Sequence, residues 1–495
     1  MKGQQATQEP LFACVRLEEM VPAEHILRRI ERVIDFSFID RRTEALYSPT
    51  GRPSVPPQVL VRMMVVGYLF GITSERRLCQ EVHLNLAYRW FCGLSLEQKV
   101  PDHSTFSKNR HGRFAQTALF REMFYDVVRQ AMERGLVGGR HLTVDATTVA
   151  ADASLESLEP LVVPMSPQQY VEQLDQIHPP APTAEAEPPE DGGDPPRAKM
   201  SNDTHRSRSD PEARLLAKPF QKTQLAYSAN VLMDNAQRVI VEVEVTEPNL
   251  HQEGQAAGQM LDRSRLQLGL NPQTLGGDKA YGYGAAVRRI CEAGVTPHVP
   301  APVTGQWNAE GIFGKEQFVY DRERDELICP AGKRLHKRTE HARNRQTEYA
   351  ARRKDCRDCP LKAQCTRARY RVTHRHWDQD YLTVAAAQRD QAGYRWSQRC
   401  RKKIEHLFAE GKEQMGLRRA RRRGWRNVSE QCLLTALALN LKRIVAALRR
   451  RPATVARASF VVANLSVHQF LWPRRCATIR RGSILGVCQP VMSLN

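Results

Sequence analysis

Three carboxylates stand where their types and settings could do chemistry. Asp145 lies in HLTVDATTVA, a run of β-branched residues that reads as a strand, among Val144, Ala146 and Val149. A charge in an apolar strand is costly unless it is paired or bound to metal. Asp278 ends QTLGGD, a short strand whose two glycines would let the backbone approach a ligand closely. Glu405 sits beside Ile404, Leu407 and Phe408 on a long basic helix. Arg401 and Lys412 flank it near one helical face. One carboxylate between two cations suits a site that holds a metal ion and a phosphate together. Each acid taken singly also fits a duller role, as a cap, a turn residue or an exposed helix charge.

A second cluster is built from sulfur. Cys356 and Cys359 form a C-x-x-C pair, the usual knuckle of a tetrahedral zinc site, and Cys329 and Cys365 can complete it. The spacing departs from a regular double C-x-x-C, so reduced, unligated thiols stay open as the alternative. His336, His341, His374 and His376 are further possible ligands. The surrounding block has few large apolar residues, so a metal staple would help it fold. Cys14, Cys79, Cys92, Cys291, Cys400, Cys432, Cys476 and Cys488 are scattered and read mostly as core thiols.

These residues need elements to position them. Residues 50 to 135 read as short helices. Pro56 and Pro57 open one, Ser74 caps the next, Ser104 caps a third, and a fourth runs from about Thr117 to Arg134. Bearing Arg89, Lys108, Arg110 and Arg113, they suit a helix-turn-helix-like DNA reader or a plain scaffold. The strand at 141 follows. Then 154–198, rich in Pro, Glu and Asp, reads as a flexible insertion. AYSANVLM and RVIVEVEVT flank Asp234–Gln237 as a hairpin, and alternating Val239, Val241, Val243 and Val245 predict a strand buried on one face. A helix at about Gly254–Leu268, the strand before Asp278, a helix through AAVRRICEA and a strand at VTPHV come next. An irregular block spans about 301–390, and helices close the pattern at about Tyr394–Met415 and Val428–Leu448. This is the element order of an RNase H-like α/β fold, interrupted before its last long helix. The resulting division is a helical region at 14–138, a mixed-sheet core at 139–300, a basic cysteine-containing insertion at 301–390, closing helices at 391–450 and an extension at 451–495.

Charge names the class of partner. The 495-residue chain carries a formal net charge of +20, which favours a polyanion, because Lys and Arg displace counterions from phosphates. Twelve Lys or Arg residues lie from Arg395 to Arg426, and GLRRARRRGWR has more cations than nearby acids can pair. Phosphate contact is therefore the expected use of that run. The N-terminal MKGQQATQEPLF has no apolar signal-peptide core. The apolar stretches at Val59–Ile72 and Cys432–Leu448 are interrupted by Arg62 and by Asn440, Lys442 and Arg443, so no membrane span is expected. A cytosolic setting, with reduced cysteines, follows as the expectation.

Ordered motifs sharpen the reading. RPSVPPQVLVRMMVVGYLFGITSERRLCQEV with PDHSTFSKNR, then HLTVDATTVAADAS, SDPEARLLAK, GDKAYG, ICPAGKRL, CRDCPLKAQC and RKKIEHLFAEGKEQMGLRRARRRGW span about 14 to 450. In this order they resemble the bacterial insertion-sequence DDE transposases, in particular the group named insertion sequence eleven-eighty-two, related to the four/five superfamily. The resemblance implies a catalytic triad at Asp145, Asp278 and Glu405. It also implies a tyrosine–arginine–glutamate–lysine signature, met at Arg401, Glu405 and Lys412, with Gln398 in the tyrosine position. The chemistry implied is cleavage and strand transfer of double-stranded DNA, at terminal inverted repeats and a target. Two Mg²⁺ (or Mn²⁺) ions about 4 Å apart would serve it, with Asp145 bridging and Asp278 and Glu405 as outer ligands. Arg401, Lys412, Arg418, Arg419, Arg421, Arg422, Lys108 and Arg110 would contact DNA. A homodimer bringing two ends together, a nucleoid-associated place in a bacterial cytoplasm and one structural Zn²⁺ complete the expectation. Two rivals are a different RNase H-fold nuclease and a catalytically retired, transposase-derived DNA-binding protein.

Overall fold

A computed structural model describes residues 16–450, apart from 49, 52–53, 116, 162–167, 169–199, 219–221 and 301–310. All of these residues fall in one unit, Met1–Arg450. Most of the expected flexible insertion, the whole 451–495 extension, and Cys14, Cys476 and Cys488 lie outside the described residues.

The chain opens with helices α1 (Leu17–Met20), α2 (Ile26–Val33), α3 (Phe38–Thr43), α4 (Pro57–Leu69), α5 (Glu75–Leu84), α6 (Leu86–Phe91), α7 (His103–His111) and α8 (Leu119–Glu133). Helix α4 starts on Pro57, whose missing N–H costs nothing in a first turn, and its central residues are buried almost all round. Ser74 caps α5 by accepting from Arg77 N, as expected. The cap of α7 is Asp102 rather than Ser104. Its carboxylate takes the Ser104 N–H at 2.9 Å, and an anion suits a helix N-terminus better than a hydroxyl.

The central sheet contains β1 (His141–Ala150), β4 (Arg214–Leu216), β5 (Gln224–Asp234), β6 (Val239–Thr246), β7 (Thr274–Gly276) and β8 (Thr296–His298), after a separate small pair of β2 (Leu158–Pro160) and β3 (His205–Ser207). Its order is β4-β5-β1-β7-β8, and β6 also pairs with β5. Strand β5 runs antiparallel to β1 and β6, while β7 runs parallel to both β1 and β8. The sheet is therefore mixed, and its middle strand carries Asp145.

Strand β6 departs from the one-face expectation. Both of its faces are buried, against α9 (Leu250–Leu268) and the closing helix α15 (Trp425–Arg450). Glu242 at its centre is fully enclosed and neutralised by Arg121 at 2.6 Å and Arg263 at 3.2 Å, with the Tyr125 hydroxyl donating at 2.6 Å. Asn440 of α15 accepts from Ile240 N and donates to Ile240 O, each at 2.8 Å, filling the place of a strand neighbour. Helix α9 begins at Leu250, four residues before Gly254, because Asn249 caps it. Helix α15 is long and apolar enough to cross a membrane by length and composition, but it is mostly buried in protein and serves as a core helix.

The described part of the block expected to be irregular, 311–390, is ordered. After α10 (Gly284–Glu292) come β9 (Val319–Asp321), β10 (Glu326–Ile328), β11 (Arg334–His341) and β12 (Gln346–Ala351), short helices α11 (Arg353–Arg357) and α12 (Lys362–Cys365), β13 (Val372–His376) and α13 (Gln379–Ala387). The strands form an antiparallel sheet in the order β13-β12-β11-β10-β9. Phe318, Leu327, Leu335, Tyr349, Ala351 and Cys365 give it a core of its own. So small a core shows little hydrophobic periodicity, which is why the sequence reads as irregular. Helix α14 (Ala392–Gln414) then returns the chain to β1, β7 and β8.

Candidate active site

Asp145 is held on the middle strand, opposite Val231, with its side chain 13% exposed. Its Oδ1 accepts from Ala146 N at 2.8 Å, and its Oδ2 lies 3.2 Å from Arg401 Nη1 on α14. The same guanidinium nitrogen is 3.5 Å from Glu405 Oε1, which is 58% exposed. Asp278 follows the neighbouring parallel strand, caps the turn at Lys279–Tyr281 and accepts from Ala280 N at 2.8 Å. The three carboxylates meet at Asp145. Its carboxyl is pushed up to about 6, first by burial and next by the negative charge of Asp278, with Glu405 adding to the push and Arg401 opposing it.

Two contacts set the placement of α14 against β7. A Cβ on Gly276 would stand 2.6 Å from Ser397 Oγ. The glycines before Asp278 admit close neighbours, Ser397 of α14 at Gly276 and Val299 and Tyr281 at Gly277. Gln398, in the tyrosine position of the signature, donates to Gly277 O at 3.2 Å and to His298 O at 2.6 Å. It ties the helix bearing Glu405 to the strand ends beside Asp278.

Residues 15–112 match the model of a transposase domain (DUF772), and residues 328–445 match that of a transposase DDE domain. The second match contains Glu405 but starts beyond Asp145 and Asp278, so those two assignments rest on geometry. The chain is a DDE transposase. Transposases of this class act on DNA and use divalent metal ions such as Mg²⁺.

The structure divides the cations expected to meet DNA. In this transposase Lys108 is exposed, but Arg110 is buried between Glu75 and Glu430, the latter at 2.7 Å. Arg110 is therefore a structural bridge between the helical region and α15, not a phosphate contact. Arg89 is likewise buried, donating to the carbonyls of Ser95, Leu96 and Gln98. The basic run is corrected in the same way. Arg421 lies 4.0 Å over the Tyr68 ring and donates to Met415 O, and Arg422 pairs with Glu430 at 3.0 Å. Internal pairing thus absorbs more of the run than its composition suggests. Arg418 and Arg419 stay exposed, paired outwardly with Glu413 and Asp152. Lys412 is half-buried, and burial, then the nearby Lys218 and Arg418, lower its pKa.

Sequence reasoning missed several neighbours. Glu253, in the first turn of α9, is a fourth carboxylate near Asp278; burial and Asp278 raise its pKa, while the Ser228 hydroxyl donates to it at 2.8 Å. Tyr281, inside GDKAYG, is fully buried near Glu253, Asp145 and Asp278, and its hydroxyl finds no hydrogen-bond partner among the described residues. Lys218, the end of SDPEARLLAK, donates to Thr148 at 3.0 Å and lies near Glu253 and Lys412. Asp210 and Glu212 of that motif accept from Gly424 N and Trp425 N at the start of α15. The motifs signalled Lys218 and Tyr281, whereas nothing in the sequence singled out Glu253.

The cysteine expectation has a geometric counterpart. Cys329, Cys356, Cys359 and Cys365 line one small apolar cavity under the second sheet, and Cys329 Sγ accepts from Lys333 N at 3.3 Å. Four sulfurs are the donor type of a structural Zn²⁺ site, but among the described residues no three of these cysteines bring their sulfur atoms within 4.8 Å of one another.

Proposed function

We propose that this transposase cuts and joins DNA at a two-metal site held by Asp145, Asp278 and Glu405, on a sheet of RNase H-like order. The observation that carries the reading is Asp145. It is a buried carboxyl pushed up to about 6 beside two more acids, with Arg401 as the nearest countercharge. Such a cluster is unfavourable until cations enter it. Bound Mg²⁺ or Mn²⁺ would supply activation of water or a 3′-hydroxyl and stabilisation of the leaving oxygen. Asp145, Asp278 and Glu405 would hold the ions, and Glu253 would support the Asp278 side. Arg401 is placed to turn towards phosphate when cations take over its carboxylates, with Lys412 further along the same helix. The antiparallel β5–β6 hairpin beside parallel β1, β7 and β8 supports the RNase H-like assignment.

The partner is double-stranded DNA at the element's terminal inverted repeats and at a target, with Lys108, Arg418 and Arg419 among the phosphate contacts. Pairing of two ends calls for a homodimer, working near the nucleoid in a bacterial cytoplasm. We keep the division into 14–138, 139–300, 301–390, 391–450 and 451–495, the group resemblance to insertion sequence eleven-eighty-two, and one structural Zn²⁺ on Cys329, Cys356, Cys359 and Cys365. The deciding experiment is cleavage of a labelled fragment of the element's end with Mg²⁺ or Mn²⁺, using wild type and Glu405→Ala. Metal-dependent nicking at the end, lost in the variant, supports the reading. Binding of the end without cleavage by either protein would favour the retired DNA-binding protein.

A further inference from the structure

We propose a second metal site, on the open face of the small sheet, where His341 Nε2, Glu348 Oε2 and His374 Nε2 take one zinc-class divalent ion. The register builds it. Glu348 on β12 stands directly opposite His374 on β13 and Thr339 on β11, and His341 is the next residue of β11 on the Thr339 face. Glu348 Oε2 lies 3.4 Å from His374 Nε2 and 3.7 Å from His341 Nε2, and the three ligand atoms all lie within 4.8 Å of one another. Both approaches exceed the range of an N–H···O hydrogen bond. His341 Nε2 is buried without a hydrogen-bond partner among the described residues.

Ligands 2.0–2.1 Å from a tetrahedral ion stand about 3.3 Å apart, close to the spacing found here. Arg338 Nη1 holds the other carboxylate oxygen, Oε1, at 3.2 Å, which fixes the carboxylate and leaves Oε2 for the ion. Two imidazoles and one carboxylate select zinc-class ions over Mg²⁺ or Ca²⁺, whose preferred ligands are oxygens. The side chains of His341 and His374 are 40% and 37% exposed, so the site lies at the protein surface, within reach of ions from solvent.

This site is separate from the cysteine cluster. Alternation along β12 puts Thr347, Tyr349 and Ala351 on the covered face, with Ala351 lining the cysteine cavity, and Glu348 on the other. An ion on His341, Glu348 and His374 would cross-link three adjacent strands of a sheet whose apolar core is small.

The test uses the full-length protein and two readouts, bound zinc after dialysis and the absorption spectrum with Co²⁺. Cys356→Ser/Cys359→Ser should keep one equivalent of metal, with weak Co²⁺ bands and no intense thiolate charge transfer. Adding His341→Ala/His374→Ala should abolish that equivalent, and Glu348→Gln should weaken it by more than about 100-fold, beyond the loss typical of an outer-sphere change. Should the cysteine variant not fold, the histidine pair or Glu348→Gln alone should remove one equivalent from the otherwise wild-type protein. Metal content and Co²⁺ spectra unchanged by both the histidine and the glutamate substitutions would overturn the proposal. The outcome is independent of DNA cleavage, so it stands or falls apart from the triad.

Discussion

Replacing Asp145 with Asn should stabilise the metal-free transposase while abolishing cleavage. Burial and Asp278 move this carboxyl from its ordinary 3.8 to about 6, against the opposing pull of Arg401. Its folded-state value therefore lies above the unfolded one. Below 3.8 both states are protonated and nothing is lost; as pH rises through that interval to about 6 the folded state must hold an unfavourable anion, and its stability falls. The full cost is about 3 kcal/mol above pH 6, and roughly half of that at pH 5. Asn is neutral throughout, so its advantage should be largest near pH 8 and shrink on acidification. Urea unfolding of both proteins with EDTA, at about pH 8 and about pH 5, reads the difference, and other titrating groups cancel between the two. Added Mg²⁺ should then stabilise wild type and not Asp145→Asn, because only the carboxylate gains from binding in the folded state. A variant that is less stable than wild type by the same margin at both pH values would refute the reasoning. It would make Asp145 a structural partner of Arg401, whose worth exceeds the strain of its burial.

Three further outcomes follow from the packing. Gly276→Ala, whose Cβ would meet Ser397 Oγ at 2.6 Å, should cost about 1–3 kcal/mol and most of the cleavage, and Ser397→Ala in the same chain should restore much of both; denaturation and end-nicking assays check it. Gln398→Ala removes donors to Gly277 O and His298 O, so it should cost about 1–3 kcal/mol and lower cleavage more than end binding, measured by gel shift and nicking in parallel. Arg110→Ala removes the 2.7 Å partner of buried Glu430, which keeps Arg422 at 3.0 Å, and should cost about 1.5–3 kcal/mol. Exposed Arg418→Ala should change stability by less than about 0.5 kcal/mol, yet reduce the salt dependence of DNA binding by about one phosphate contact.

The sequence carried the strands and helices that have strong periodicity. HLTVDATTVA is a strand over its whole length, and the valine-rich hairpin and both closing helices stand where their patterns put them. Legibility failed where an answer depends on a distant partner. The alternation in β6 promised one wet face, but Glu242 is enclosed because Arg121, Arg263 and Tyr125 arrive from two other helices. Gly276 and Gly277 looked like room for a ligand because the sequence does not show Ser397 or Val299 behind them. Glu253 went unnoticed because its helix starts four residues before the apolar spacing does. The small sheet was hidden for another reason, since strands as short as three residues leave too little alternation to detect.

Charge shows the same limit most sharply, and there the correction strengthens the functional reading. In the run after α14, Arg421 and Arg422 are part-buried in internal contacts, and these anchors fix the strip that carries its exposed neighbours. The strip lies along the end of the middle strand: Ala150 N donates to Arg418 O at 3.0 Å, and Ala420 N donates to Ala150 O at 2.7 Å. Gln431 accepts from Arg421 N and donates to the carbonyls of Gly416 and Arg419, and Asp152 faces Arg419 and Arg423. A flexible basic tail would lose conformational freedom on meeting a phosphate backbone; a strip already bonded to the strand that bears Asp145 loses much less. On the proposed reading, Arg418 and Arg419 would meet DNA from fixed positions beside Ala150, about five residues along that strand from Asp145. Such a spacing would let a surplus of cations bring phosphate to an acidic site without neutralising Asp145 itself.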